Sequence, residues 1–181
     1  HIIQLGNSGV YVIYDELEGK EAVTWSYLLH TVELPMEMKE LPNEVQVTGK
    51  NKAGGVSVAH LFSSAKTEQA IADTFFCAPT NWKNVTNAQG KALKYPNHWH
   101  FSSTTVPCKV ARFLTVMDTH GNNRPDMKVV RNGNTVQVGD WVINCNLAEK
   151  GKAAITVTNK SEKVSLNYDA GKKEGATIVT D

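Results

Sequence analysis

Met127-Lys-Val-Val-Arg-Asn-Gly-Asn-Thr-Val-Gln-Val-Gly-Asp-Trp-Val-Ile-Asn144 decides the fold class of this chain. Two β-rich runs, Met127–Arg131 and Thr135–Val138, are parted by Asn132-Gly133, and both of those residues tolerate the positive φ of a two-residue type I′ turn. A meander follows, with strands expected at Trp141–Asn144, Ala154–Thr158, Val164–Asn167 and Thr177–Val179. Upstream the same grammar repeats. Ile2–Leu5 and Val10–Tyr14, separated by Gly-Asn-Ser-Gly, read as a hairpin that leaves Asp15 at a strand end. Glu44–Val47 and Val56–Phe62 flank Lys-Asn-Lys-Ala-Gly-Gly as a second hairpin, with Val56, Val58, His60 and Phe62 on one face.

Thr24 to Val32 alternates Trp25, Tyr27 and Leu29 against Ser26, Leu28 and His30, so His30 points away from the Trp25 face. Trp99–Ser102 and Ala111–Met117 complete about a dozen strands spaced roughly ten residues apart, a pattern that fits a sandwich better than any βαβ arrangement. The expected fold is all-β: an antiparallel two-sheet β-sandwich of stacked sheets with few or no helices. Only Ala65–Ala72 suggests a short helix. The polar stretch Asp118–Asp126 divides a main sandwich layer, residues 1–120, from a smaller terminal meander, 121–181, packed on it.

The 181 residues suffice for one substantial core, and 41% hydrophobic with 20% charged residues is a globular composition. No apolar run approaches the ~18 residues of a membrane span. Nineteen basic against eighteen acidic side chains leave no field for a polyanion, and there is no basic stripe of a nucleic-acid binder. An acidic ligand must therefore be recognised by local residues. Cys77, Cys108 and Cys145 lie far apart, without zinc-knuckle spacing, and read as small buried hydrophobes or as one disulfide plus a thiol.

Four segments carry a family likeness: Gly-Val-Tyr-Val-Ile-Tyr-Asp-Glu-Leu-Glu at 9–18, Val-Thr-Trp-Ser-Tyr-Leu-Leu-His at 23–30, Tyr-Pro-Asn-His-Trp-His-Phe at 95–101 and Arg-Phe-Leu-Thr-Val at 112–116. In this order they resemble the carboxy-terminal β portion of heparinase II/III-like polysaccharide lyases, over residues 1 to 130. The resemblance implies a stacked-sheet domain beside a helical α/α-toroid of the same polypeptide. Uronic-acid-containing polysaccharide would be cut by β-elimination in the cleft between them, in a periplasmic or secreted protein. Elimination needs a base for the C5 proton, an acid for the leaving oxygen and a group that neutralises the carboxylate. In the family most of those groups belong to the helical half, so the isolated chain is expected to be inactive.

The resemblance also implies a metal, zinc or another divalent ion, held by a histidine, an Asp closing the following strand and a histidine on the next strand. Asp15 and His30 fit the last two places, and His1 is the third ligand or its neighbour. The two are expected to face one another across adjacent strands; the alternative is a hydrogen-bonded His30–Asp15 pair without metal. His60 is a reserve ligand or a buried, satisfied histidine. His98 and His100 share a face opposite Trp99 and Phe101, as a cleft wall or metal site, or as a half-exposed edge. Arg112 reads as a fork for a substrate carboxylate or as a structural salt bridge. Trp82 reads as a sugar-stacking indole or as rim packing. Asn84-Val-Thr86 and Asn159-Lys-Ser161 fit glycosylation sequons. Two rival functions stand beside the lyase reading: a free-standing carbohydrate-binding sandwich, and a structural or adhesive β module.

Overall fold

The computed structural model describes residues 1–31, 34–73, 87–91, 98–173 and 175–180. Among them there is no helix, and fifteen antiparallel strands build three sheets. The central sheet runs β1 (Ile2–Gln4), β2 (Val10–Val23), β9 (Cys108–Gly121), β6 (Gly55–Ser63), β5 (Glu44–Lys50), β4 (Glu37–Leu41). A meander of β10 (Val129–Asn132), β11 (Thr135–Val138), β12 (Trp141–Cys145), β13 (Ala154–Asn159), β14 (Val164–Asp169) and β15 (Ala176–Thr180) forms the second sheet. The third is β3 (Ser26–Thr31), β8 (Trp99–Thr105), β7 (Thr67–Ala72).

The two-residue period of the strands sorts these sheets into layers. On β2 and β9, Val10, Val12, Tyr14, Leu114 and Val116 join Val136, Val138, Ile143, Ile155 and Val157 of the meander in one core. The alternate residues Ala111 and Phe113, with Val45, Val47, Ala59 and Leu61, pack against Phe101, Tyr27, Leu29 and Trp99 of the three-stranded sheet in the other. The central sheet is therefore apolar on both faces. Each fully buried large side chain such as Tyr14, Phe62 or Phe113 contributes about 1.5–3 kcal/mol of apolar burial.

The structure corrects several local expectations. The Ala65–Ala72 helix is absent; Thr67–Ala72 is strand β7, paired with β8 from Thr67↔Thr105 to Ala72↔His100. Asn132 is not a loop residue but pairs with Thr135, so the turn is Gly133-Asn134. Only Gly133 takes positive φ, 60°, which is the type II′ pattern, with glycine first, and not I′. Asp15 does not end its strand: β2 continues to Val23 as a half-exposed ribbon, opposite Phe113 at Asp15 and Val110 at Glu18. Gly9, at φ 78°, lies so close to the Thr119 carbonyl that a Cβ has no room there, and its own carbonyl accepts from the Thr119 amide at 2.9 Å.

Candidate functional site

Strand parity separates the three expected metal ligands. His1 exchanges backbone hydrogen bonds with Tyr14 at 2.9 Å each, which sets its ring on the meander side of the central sheet. Asp15, the next residue on β2, projects to the other side, where burial pushes its carboxyl above the ordinary value. His30 sits on β3, which pairs with β8 and not with β2, and it lies on the exposed outer face of that sheet. Asp15 and His30 thus do not face each other across adjacent strands, which corrects that expectation, and the His1, Asp15 and His30 side chains lie on three different surfaces. Among the described residues no group of three His, Cys, Asp or Glu side chains stands ready to hold a metal ion.

His1 instead joins a polar junction between the central sheet and the meander. Its ring lies 3.9 Å from that of Tyr168, and its Nε2 is 3.7 Å from Glu16 Oε1. Tyr168 donates its hydroxyl to Glu16 Oε1 at 2.5 Å, and that bond to the carboxylate pushes the phenol up to about 12. Tyr14 donates to the Asn146 carbonyl at 2.7 Å, and burial raises its phenol to about 12. Sequence reading missed Glu16 and Tyr168, which lie 152 residues apart in sequence.

Arg112, opposite Glu16 in the β2–β9 register, is only 4% exposed. Its Nη1 donates to the Ala148 carbonyl at 2.5 Å and the Asn146 carbonyl at 3.4 Å, and its Nη2 to the Gly151 carbonyl at 2.5 Å. Both arms of the fork are occupied by the β12–β13 loop. That corrects both readings of this residue: neither a substrate carboxylate nor an ion pair takes the guanidinium, which clamps backbone instead. Beside it opens a cavity of about 640 Å³ lined by Glu16, Glu18, Glu149, Lys152 and Arg112 among others.

On the three-stranded sheet, Leu29 opposite Phe101 faces the core, which turns His30 and its partner His100 outward. Their ring centroids are 6.0 Å apart at 41°. His100 is 7% exposed and His30 open to solvent. His98 lies one residue before β8 begins and is half-buried. Trp82 and Asn84 fall outside the described residues.

Other sequence candidates resolve into scaffolding. Buried His60 meets Glu44 through Nδ1 at 2.6 Å, while its Nε2 has no hydrogen-bond partner. Asn159, 3% exposed, accepts the amides of Ser161 and Glu162 at 3.0 and 3.1 Å, so this sequon is an Asx turn. Fully buried Asp118 accepts from both Arg124 Nη atoms and from the Met127 amide at 2.7 Å, which pins the expected divider Asp118–Asp126 against the sheet. Cys108 and Cys145 are free thiols, and burial pushes Cys145 up to about 11. No helix among the described residues is long and apolar enough to cross a membrane. No family model matches the chain, and no curated protein matches it.

Proposed function

We propose that this chain is the β portion of a heparinase II/III-like polysaccharide lyase, in which it supports a helical toroid and walls the cleft where a uronic-acid-containing polysaccharide undergoes β-elimination. The observation that supports this most is how the four resembling segments associate. Those at 9–18 and 112–116 fall on β2 and β9, paired through Asp15↔Phe113, and those at 23–30 and 95–101 bring together β3 and β8, paired through His30↔His100. Segments scattered along the sequence thus form two contiguous ribbons around one core, as parts of a single inherited framework would.

In this reading the base and acid of the elimination come from the helical half, and the β portion supplies rigidity. Arg112 and Tyr14 serve that role by fixing the β12–β13 loop from below. The reading carries with it a periplasmic or secreted location and an acidic polysaccharide as partner.

A second reading, a free-standing carbohydrate-binding module, draws on the cavity beside Arg112. Its Glu16, Glu18, Glu149 and Lys152 side chains suit sugar hydroxyls better than an anionic uronate. Two assays separate the readings: release of unsaturated uronate by the protein that contains this chain, and glycan binding by the chain alone. Lyase activity that requires a helical half joined to this chain supports the first reading. Binding of neutral glycans by the chain, with no lyase activity in either form, refutes it in favour of the second.

A further inference from the structure

We propose that the cleft between the β4–β5 turn, the β6–β7 turn and Arg131 of β10 binds a small zwitterion, a free α-amino acid, independently of the lyase reading. The cleft holds about 440 Å³, and its wall carries two acidic and two basic side chains, Glu40, Glu44, Lys66 and Arg131. None of the four is ion-paired with another. Glu44 is fixed by its surroundings. It pairs with Leu41 across the two-residue turn Pro42-Asn43, and its side chain is only 15% exposed. Buried His60 donates from Nδ1 to Glu44 Oε1 at 2.6 Å, while Oε2 makes no hydrogen bond. A largely buried carboxylate with one oxygen unused calls for a charged donor.

Arg131 is anchored beside it from the other sheet. Its Nε donates to the Gly133 carbonyl at 2.8 Å and its Nη1 to the Asn43 carbonyl at 3.2 Å, with the guanidinium 5.1 Å from the Phe62 ring centroid. Its Nη2 makes no hydrogen bond. Since Asn43 adjoins Glu44 in the chain, a held cation and a held anion flank the same stretch of wall without pairing. Gln69 supplies an independent observation. Its Nε2 donates to the Thr67 hydroxyl at 2.9 Å and to the Thr67 carbonyl at 3.4 Å, which holds the amide, yet its Oε1 is buried with no hydrogen-bond partner. A buried acceptor in that state lowers stability, and an ammonium entering the cleft supplies the missing donor.

Charge balance selects the ligand class. A dicarboxylate would set like charges against Glu40 and Glu44, and a diamine would do the same against Lys66 and Arg131. A neutral sugar would leave both signs unmatched, and among the described residues no aromatic side chain lines the cleft to stack on its ring. An α-ammonium at Glu44 and Gln69 with an α-carboxylate at Arg131 and Lys66 matches both signs by charge-assisted hydrogen bonds. Leu41 and Leu61, also in the wall, accommodate an aliphatic side chain.

Calorimetric titration of the chain with L-alanine, L-valine and L-leucine tests the site, with glucose and the N-acetyl and amide derivatives of each amino acid as controls. The expected result is one site for at least one of the three free amino acids. Blocking its amine or its carboxylate weakens binding at least about tenfold, and glucose gives no heat of binding. Glu44→Gln and Arg131→Gln each weaken it at least about tenfold, whereas Asp15→Asn leaves it unchanged. Arg131 is half-exposed, so Arg131→Gln carries the test if Glu44→Gln unfolds. No binding of any of the three amino acids at millimolar concentration would overturn the proposal. So would a blocked derivative or glucose that binds as tightly as the free amino acid, or wild-type affinity in either folded variant.

Discussion

Replacing Arg112 by Met keeps an unbranched apolar stem and most of its packing but deletes the guanidinium that holds the β12–β13 loop. Two bonds of 2.5 Å, to Ala148 and Gly151, are lost outright, along with a weak one to Asn146 that Tyr14 backs up. Hydrogen bonds from a charged donor are worth about 1.5–3 kcal/mol each, which gives a gross loss of roughly 3–6 kcal/mol. Two effects reduce it. Removing a buried charge relieves its desolvation, and Ala148 to Gly151 are exposed, so water reaches the freed carbonyls. The expected net loss is about 2–4 kcal/mol, or roughly 5–15 °C in Tm for a chain of this size. Urea unfolding at unchanged m measures the first figure, and amide exchange of residues 146–153 should show that loop losing protection before the sheets do. Arg112→Lys should recover less than half, because an ammonium cannot span carbonyls on both sides. A Tm shift below about 2 °C for Arg112→Met, or loop exchange identical to wild type, would refute the clamp.

Asp118→Asn should destabilise the chain by about 1–3 kcal/mol at neutral pH, since the charged acceptor of Arg124 and of the Met127 amide is lost. Burial by itself raises the Asp118 carboxyl, but those hydrogen bonds and the Arg124 charge hold it below the ordinary value. Because the folded pKa is depressed, its stabilisation is fully present above the unfolded value near ~3.9 and is lost as pH falls through the folded one. Urea titrations from neutral pH downward should show the gap between wild type and Asp118→Asn closing below about pH 4, whereas a constant gap would exclude this linkage. Asn159 should carry no glycan when the chain is secreted from a glycosylating host, because its side chain is buried and its Oδ1 caps a turn. Peptide mass spectrometry with a glycan on Asn159 would contradict that placement.

The hairpins were legible because alternation and turn chemistry agree locally: Thr135–Val138 is read to the residue, and the β5–β6 pair to within a few. Strand β4, Glu-Met-Lys-Glu-Leu, was missed because an exposed edge strand shows no apolar alternation. Thr67–Ala72 was read as helix for the same reason, since its side chains are mostly exposed or half-buried. Parity placed His30 correctly on the face away from Trp25. What parity cannot show is which sheet the next strand joins, and that choice separated Asp15 from His30. The Glu16–Tyr168 bond and the Arg112 clamp depend on the meander folding back over β2 and β9, contacts that leave no local trace in sequence.

If this chain is the β portion that completes a divided lyase cleft, absorbance from unsaturated uronate ends will show it. Heparin, heparan sulfate, hyaluronan, chondroitin and alginate would be incubated in parallel with the isolated chain and with the longer polypeptide, helical half included, that the lyase reading requires. A divided cleft gives a steady rise on at least one substrate for the longer polypeptide and a flat trace on all five for the isolated chain. A rise produced by the isolated chain, or flat traces from a folded longer protein on every substrate, would contradict it.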